Sequence, residues 1–539
     1  MTTLYLGAKV YTGEGQFAQA FAVRDGRFVF AGSDEEAAVF PADERVDLGG
    51  GFVCCGFNDS HMHLLNYGSY LINAPLTDHT DSLCGMIDFL RGFAAEHPRR
   101  EGEWLVGRGW NHDSFTDEHR LPDRHDLDRV SADVPVCAVR CCGHCLAVNS
   151  IALKLLGVTA DTPQPDGGEI GVTDGEPNGL FFDNAMDMVY SAIPAPSKEA
   201  LKDMIRLSCH SLNALGITSC HSDDYSIFRN VPWQTVKQAF DELEASGELS
   251  VRVYEQSNVM TPEALRELIA AGFTTGTGTA RFRNGPLKML GDGSLGARTA
   301  YLSQPYSDDP SVTGFPCYDQ RTMDSMIGSA NEHGMQVAVH AIGDKCLDMV
   351  LDAIEKALRA HPRKDHRHGI VHCQITREDQ LQRIADMGLH VYAQPIFLDY
   401  DNRIVLPRVG KERAETSYRW KTLMKRGVSV SAGTDCPVEM PDPMRCLQCA
   451  VTRTTLDGEV GPYLPEEAFT AAEAIDSYTI RSAEAAFEED EKGLIRSGYL
   501  ADFVLLDQDP FSIPASDIAS IRVKGTWLGG ERIYTAPQG

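Results

Sequence analysis

The sequence predicts an α/β fold, a (β/α)8 barrel carrying a small β-sandwich built from both chain termini. Three observations predict it. Through the middle of the chain, short apolar runs alternate with stretches of helical periodicity. Both ends read as short strands joined by turns. Histidine, lysine and aspartate interrupt or end the apolar runs of the middle, where a barrel keeps its active-site residues.

The N-terminal part, 1–55, contains strand-like runs at 3–6, 20–23 and 27–30, the last two separated by Asp25-Gly26, a hairpin signal. The C-terminal part, 489–539, has the same texture, with strand-like 501–507, 521–524 and 528–534. Two all-β ends around a different middle imply one module made from both. The barrel is expected to occupy 56–488. Its first strand is placed at 52–56, followed by strands at 215–221, 251–254, 286–290, 335–340, 369–372, 389–394 and 428–435, with helices at 198–214 and 232–246. Eight strands is the number this barrel requires. The stretch 80–195 is too long for one crossover and reads as an insertion over the barrel mouth.

A chain of 539 residues with 43% hydrophobic and 23% charged residues has ordinary globular composition. A net charge of −28 argues against nucleic acid or an anionic membrane as partner. The first residues show no basic region leading into an apolar core, and no apolar run reaches ~18 residues, so a cytoplasmic protein is expected. The fifteen cysteines are accordingly read as reduced thiols. Cys142 and Cys145 spell Cys-x-x-Cys, but a redox role needs a small thioredoxin-like unit with the motif opening a helix. Here the motif follows a strand-like run, 134–140, deep inside a large chain.

His61 and His63 lie at alternate positions of an extended segment, so both side chains point to one side and can converge on one ion. His340, His372 and Asp435 each end a short apolar run. One such residue is ordinarily a hydrogen-bonded core group; four histidines and an aspartate in one βα series form a metal constellation. Lys288 sits inside Leu287-Lys288-Met289-Leu290, where a buried ammonium is costly. A buried lysine can react as a neutral amine, and carboxylation by CO2 would make it an anionic ligand.

These residues stand in longer motifs: Gly-Phe-Asn-Asp-Ser-His-Met-His (56–63), Gly-Trp-Asn (109–111), Gly-His-x4-Asn-Ser (143–150), and Leu-Lys-Met-Leu-Gly-Asp-Gly-Ser-Leu-Gly-Ala-Arg-Thr-Ala (287–300). His-Ala-Ile-Gly-Asp (340–344), Val-His-Cys-Gln (371–374), Ala-Gln-Pro (393–395), Gly-Thr-Asp-Cys-Pro-Val (433–438) and Gly-x-Leu-Ala-Asp-Phe-Val-Leu-Leu-Asp (498–507) complete the set. With them the chain resembles the amidohydrolase superfamily of TIM-barrel hydrolases, in its YtcJ-like branch, which includes N-substituted formamide deformylases.

The resemblance implies two divalent ions, expected to be zinc. His61, His63 and Asp435 would hold the more buried ion and His340 and His372 the other, with carboxylated Lys288 bridging. It implies hydrolysis of a carbon–nitrogen bond other than a peptide bond, by a hydroxide shared between the ions with Asp435 as base. Trp110, Asn111, His144, Arg298 and Gln394 are the expected substrate contacts. By analogy the partner is a small-molecule substrate and the assembly a homodimer. The chain departs from the family pattern at Cys142, where relatives often carry Asp, and at Val371, where they carry Glu; both changes bear on substrate, not on ligands.

Two rival readings stand beside this one. A mononuclear deaminase of the same superfamily would place Glu three residues after the strand-five histidine. This chain has Gly343 there, with Asp344 next. A non-catalytic binding or regulatory descendant would have no need of the intact ligand set.

Overall fold

A computed structural model describes residues 1–76, 81–100, 102–140, 145–165, 168–183, 185–228 and 230–537. The chain divides into two compact units, one made of Met1–Leu65 with Ile205–Gly539 and the other of Asn66–Met204.

The first unit contains an eight-stranded parallel sheet in sequential order, nearly closed into a barrel. Its strands are β1 (Phe57–Met62), β2 (Ile217–Ser222), β3 (Arg252–Asn258), β4 (Phe282–Leu290), β5 (Val337–Ala341), β6 (Gly369–His372), β7 (His390–Ala393) and β8 (Val430–Ala432). Most are fully buried, which is why β5 to β8 read as short apolar runs without alternation. Helices Lys198–Ala214 and Trp233–Ala245 lie where periodicity placed them. The stretch after β8 bonds to β1 across the seam: Asp435 N–H donates to the His61 carbonyl (2.8 Å) and His63 N–H to the Cys436 carbonyl (2.8 Å).

One strand assignment is corrected. The apolar run Phe52–Cys55 is not the first barrel strand. It pairs with the C-terminal strand Phe503–Leu506 and with Lys9–Gly13. The barrel strand begins at Phe57, in a polar stretch that local hydropathy reads as a loop. Gly56 makes the handover possible, because a Cβ there would lie 2.3 Å from the Thr218 side chain. Asp59, within that polar stretch, is paid for by hydrogen bonds: it accepts from Thr434 Oγ1 (2.6 Å) and from the His61 N–H (3.1 Å).

The termini form two further sheets. One runs Arg27–Gly32, Ala20–Arg24, Thr2–Leu6, Glu44–Asp47. The other mixes both ends in the order Glu531–Thr535, Val523–Leu528, Phe503–Leu506, Phe52–Cys55, Lys9–Gly13, Gln16–Ala18. Asp25 and Gly26 both adopt positive φ, as a tight hairpin demands. Tyr5, Phe21 and Phe28 of the first sheet share a core with Phe503, Leu505 and Trp527 of the second. These sheets belong to the same compact unit as the barrel.

The second unit starts and ends outside the expected 80–195. Its six-stranded sheet runs Gly168–Thr173, Glu176–Asp183, Cys145–Val148, Val136–Arg140, Leu105–Trp110, Ala74–Pro75. Helix Leu83–Glu96, capped by Ser82, buries Met86, Ile87 and Leu90. Among the described residues, no helix is long and apolar enough to cross a membrane.

Candidate metal centre

The barrel seam brings His61, His63 and Asp435 together. One ligand atom from each lies within 4.8 Å of the others. His61 is the penultimate residue of β1 and His63 directly follows the strand; their ring centroids are 5.3 Å apart. Asp435 lies just beyond β8 with φ 59°, a left-handed conformation that Asp tolerates better than most side chains. Its Oδ1 faces Nε2 of His63 at 2.9 Å and Nε2 of His61 at 3.3 Å.

Each imidazole is oriented from behind. His61 Nδ1 donates to Gln256 Oε1 on β3 (2.8 Å), and Gln256 Nε2 donates to the Ser60 carbonyl (3.2 Å). His63 Nδ1 donates to Asp223 Oδ1. With both Nδ1 atoms used, both Nε2 atoms are turned toward Asp435, the orientation in which they would ligate a metal.

His340 and His372 form a second pair. His340 Nε2 lies 3.2 Å from the Gly293 carbonyl and 3.3 Å from Asp292 Oδ1, which leaves Nδ1 facing His372 Nε2 at 3.0 Å. His372 ends β6 at φ 75°, and Cys373 follows at φ 49°. Strain of this kind persists only where neighbours over-determine it. Trp420 Nε1 donates to the His372 carbonyl (2.9 Å), and the Phe397 ring stacks on the imidazole. His61 and His372 are 6.1 Å apart between ring centroids, so the two groups face one another.

Lys288 is buried, and its Nζ lies 3.4 Å from Asp223 Oδ2. Burial alone would lower the His63 imidazole, but Asp223 and Asp435 reverse this and hold it up at about 10. Burial would raise Asp435; hydrogen bonds from His61 and His63 instead hold its carboxyl well below the usual range. Two imidazole nitrogens with one carboxylate oxygen are a donor set zinc accepts.

The other expected contacts have the following surroundings. Trp110 is fully buried in the core of the second unit, with Nε1 donating to the Ala138 carbonyl (2.9 Å). Asn111 Oδ1 accepts from Arg140 (2.8 Å). Arg298 makes a two-pronged ion pair with Asp308, at 3.1 and 2.9 Å, which Arg408 shares. Gln394 is buried just after β7 and donates to the Tyr392 carbonyl (3.0 Å). His144 and Cys142 lie outside the described residues. Sequence reasoning missed Asp223, Gln256 and Asp292, each of which orients a predicted ligand or Lys288. The only signal for Asp223 was a polar run after β2, in the place where other strands carry ligands.

A family model described as "Amidohydrolase family" matches residues 44–534. The chain belongs to the amidohydrolase family. Over essentially its whole length (99% of each chain) this amidohydrolase is 36% identical to YtcJ of Bacillus subtilis (strain 168), itself described as an amidohydrolase. It is 26% identical to an N-substituted formamide deformylase of Arthrobacter pascens, over 96% of this chain and 95% of that one. Among solved structures, a metal-dependent hydrolase from Pyrococcus horikoshii OT3 superposes with a TM-score of 0.78 at 29% identity, covering 96% of this chain and 99% of that one. The chain is thus a hydrolase of a metal-dependent family with a candidate metal site on its barrel.

Proposed function

We propose that this amidohydrolase cleaves the carbon–nitrogen bond of a non-peptide amide, such as an N-acyl or N-formyl amine, giving a carboxylate and an amine. The observation that carries the reading is the convergence of His61, His63 and Asp435 at the barrel seam, with the His340–His372 pair facing it. His61, His63 and Asp435 would hold one ion and His340 and His372 a second, zinc in both cases. Bound there, zinc supplies Lewis acidity and lowers the pKa of water to near neutrality.

Asp435 has the remaining work. As an ionised carboxylate beside the ion it would accept the proton of the attacking water and return it to the departing amine nitrogen. Lys288 would bridge the ions as its carbamate. That role excludes its pairing with Asp223, because a carbamate and a carboxylate repel. The similarity to an N-substituted formamide deformylase supports the substrate class.

The deaminase alternative needs a proton shuttle after β5. Asp344 is engaged elsewhere: it accepts from Ser303 N–H (2.9 Å) and from Arg377 Nη1 (2.9 Å). The test is Asp435→Asn. Asn tolerates φ 59° as well as Asp does, so the variant should fold while turnover falls to a few per cent or less. Substantial retained turnover would refute the assigned base.

A further inference from the structure

Asp223 is fully buried and directly follows β2, a strand that supplies none of the expected ligands. One carboxylate oxygen receives His63 Nδ1, and the other lies 3.4 Å from Lys288 Nζ and 3.5 Å from Asn258 Nδ2. The His63 ring therefore lies between two carboxylates, Asp223 at Nδ1 and Asp435 at Nε2. The end of β2 also grips the turn that carries His63. Asp223 N–H donates to the Met62 carbonyl (3.3 Å), Leu64 N–H to Ser222 Oγ (2.7 Å) and Leu65 N–H to Asp224 Oδ1 (2.8 Å). Asp224, by contrast, takes its second bond from Ser222 Oγ (2.8 Å) and touches neither histidine. The two adjacent acids are thus divided: one holds the backbone of the turn and the other holds the imidazole.

We infer that Asp223 is a positioning residue of the metal centre, fixing the His63 ring and tautomer so that Nε2 is presented beside Asp435. It acts through His63 and not as a ligand, since one oxygen receives His63 Nδ1, on the far side of the ring from Asp435, and the other faces Asn258 Nδ2 at 3.5 Å. The inference rests on the proposed reading of His63 as a metal ligand.

The test is zinc affinity, measured by competition with a chromophoric chelator, for the wild type, Asp223→Asn, Asp223→Ala, His63→Ala and the His63→Ala/Asp223→Ala double variant. Circular dichroism reports folding. Asp223→Ala should weaken zinc binding by about 10–100-fold, the range seen when a partner behind a ligating histidine is removed. Asp223→Asn, isosteric and still able to accept from Nδ1, should lose less. On the His63→Ala background, removing Asp223 should cost nothing more. Unchanged affinity in both single Asp223 variants would overturn the inference while leaving His63 as a ligand. A further equal loss in the double variant would overturn it by making Asp223 a ligand itself. Unchanged affinity in His63→Ala would remove the reading on which it stands.

Discussion

Gly433, immediately after β8, gives the sharpest handle on the seam. A Cβ at this position would lie 2.6 Å from Asp59 Oδ1, 2.6 Å from His61 N and 2.9 Å from the His61 carbonyl. Two of these neighbours are backbone and cannot swing aside. Ordinary contact starts at 3.4 Å, so Gly433→Ala must part β1 from the stretch after β8 by about 0.8 Å (3.4 − 2.6). The φ of Gly433 is not positive, so alanine adds crowding and no backbone strain. Overpacking of this size costs about 1–3 kcal/mol, and in a chain this long each kcal/mol lowers Tm by about 1 °C. The same displacement separates His61 from Asp435, whose Nε2–Oδ1 distance is 3.3 Å. Zinc affinity should therefore fall at least tenfold while Tm drops only about 1–3 °C. Chelator competition and differential scanning calorimetry measure the two effects. Gly328→Ala, in helix Gln320–Glu332 with nothing within 4 Å of the added methyl, is the control and should change neither adversely. Wild-type zinc affinity in Gly433→Ala would refute the claim that the seam spacing builds the metal centre.

Two further predictions concern stability. Asp401 accepts from Gln374 Nε2 (2.7 Å) and Tyr418 OH (2.9 Å), and burial pushes its carboxyl up to about 6. The folded state thus binds this proton more tightly than the unfolded chain, so the stabilisation is full below about pH 4 and is lost as pH rises to about 6. Asp401→Asn should be more stable than wild type at pH 8, by up to about 3 kcal/mol, and level with it near pH 4; urea titrations giving a pH-independent difference would contradict this. Arg252 and Asp502 form a buried two-pronged ion pair, at 2.7 and 3.1 Å, between β3 and the C-terminal strands. Arg252→Ala should cost about 3–5 kcal/mol, and Arg252→Met/Asp502→Leu much less, because the single change strands a buried charge. Additive losses in thermal unfolding would count against that account.

The barrel was legible in the sequence because parallel strands buried on both faces must be short and apolar, so a histidine or aspartate at their ends stands out. His340, His372 and Asp435 could be found in that way. What was not legible is whatever depends on contacts distant along the chain. The run at 52–55 is as apolar as a barrel strand, and only its pairing with 503–506 assigns it to the terminal sheet. β1 hides in a polar stretch because Asp59 is satisfied by Thr434, more than three hundred residues away. Asp223 and Gln256 carry no local mark that separates them from other buried polar residues. Nor does the sequence announce the partners of Trp110 and Arg298: the indole donates to the Ala138 carbonyl and the guanidinium pairs with Asp308.

The most direct measurement is product identity. Zinc-replete protein, with chelated protein and Asp435→Asn as blanks, would be incubated with N-formyl amines, N-acyl amino acids, cyclic ureides and amino-heterocycles, and acid, amine and ammonia quantified. Equimolar carboxylate and amine from an acyl or formyl amine, lost in both blanks, is the predicted result. Ammonia from an amino-heterocycle alone, or equal release by Asp435→Asn, would contradict the account.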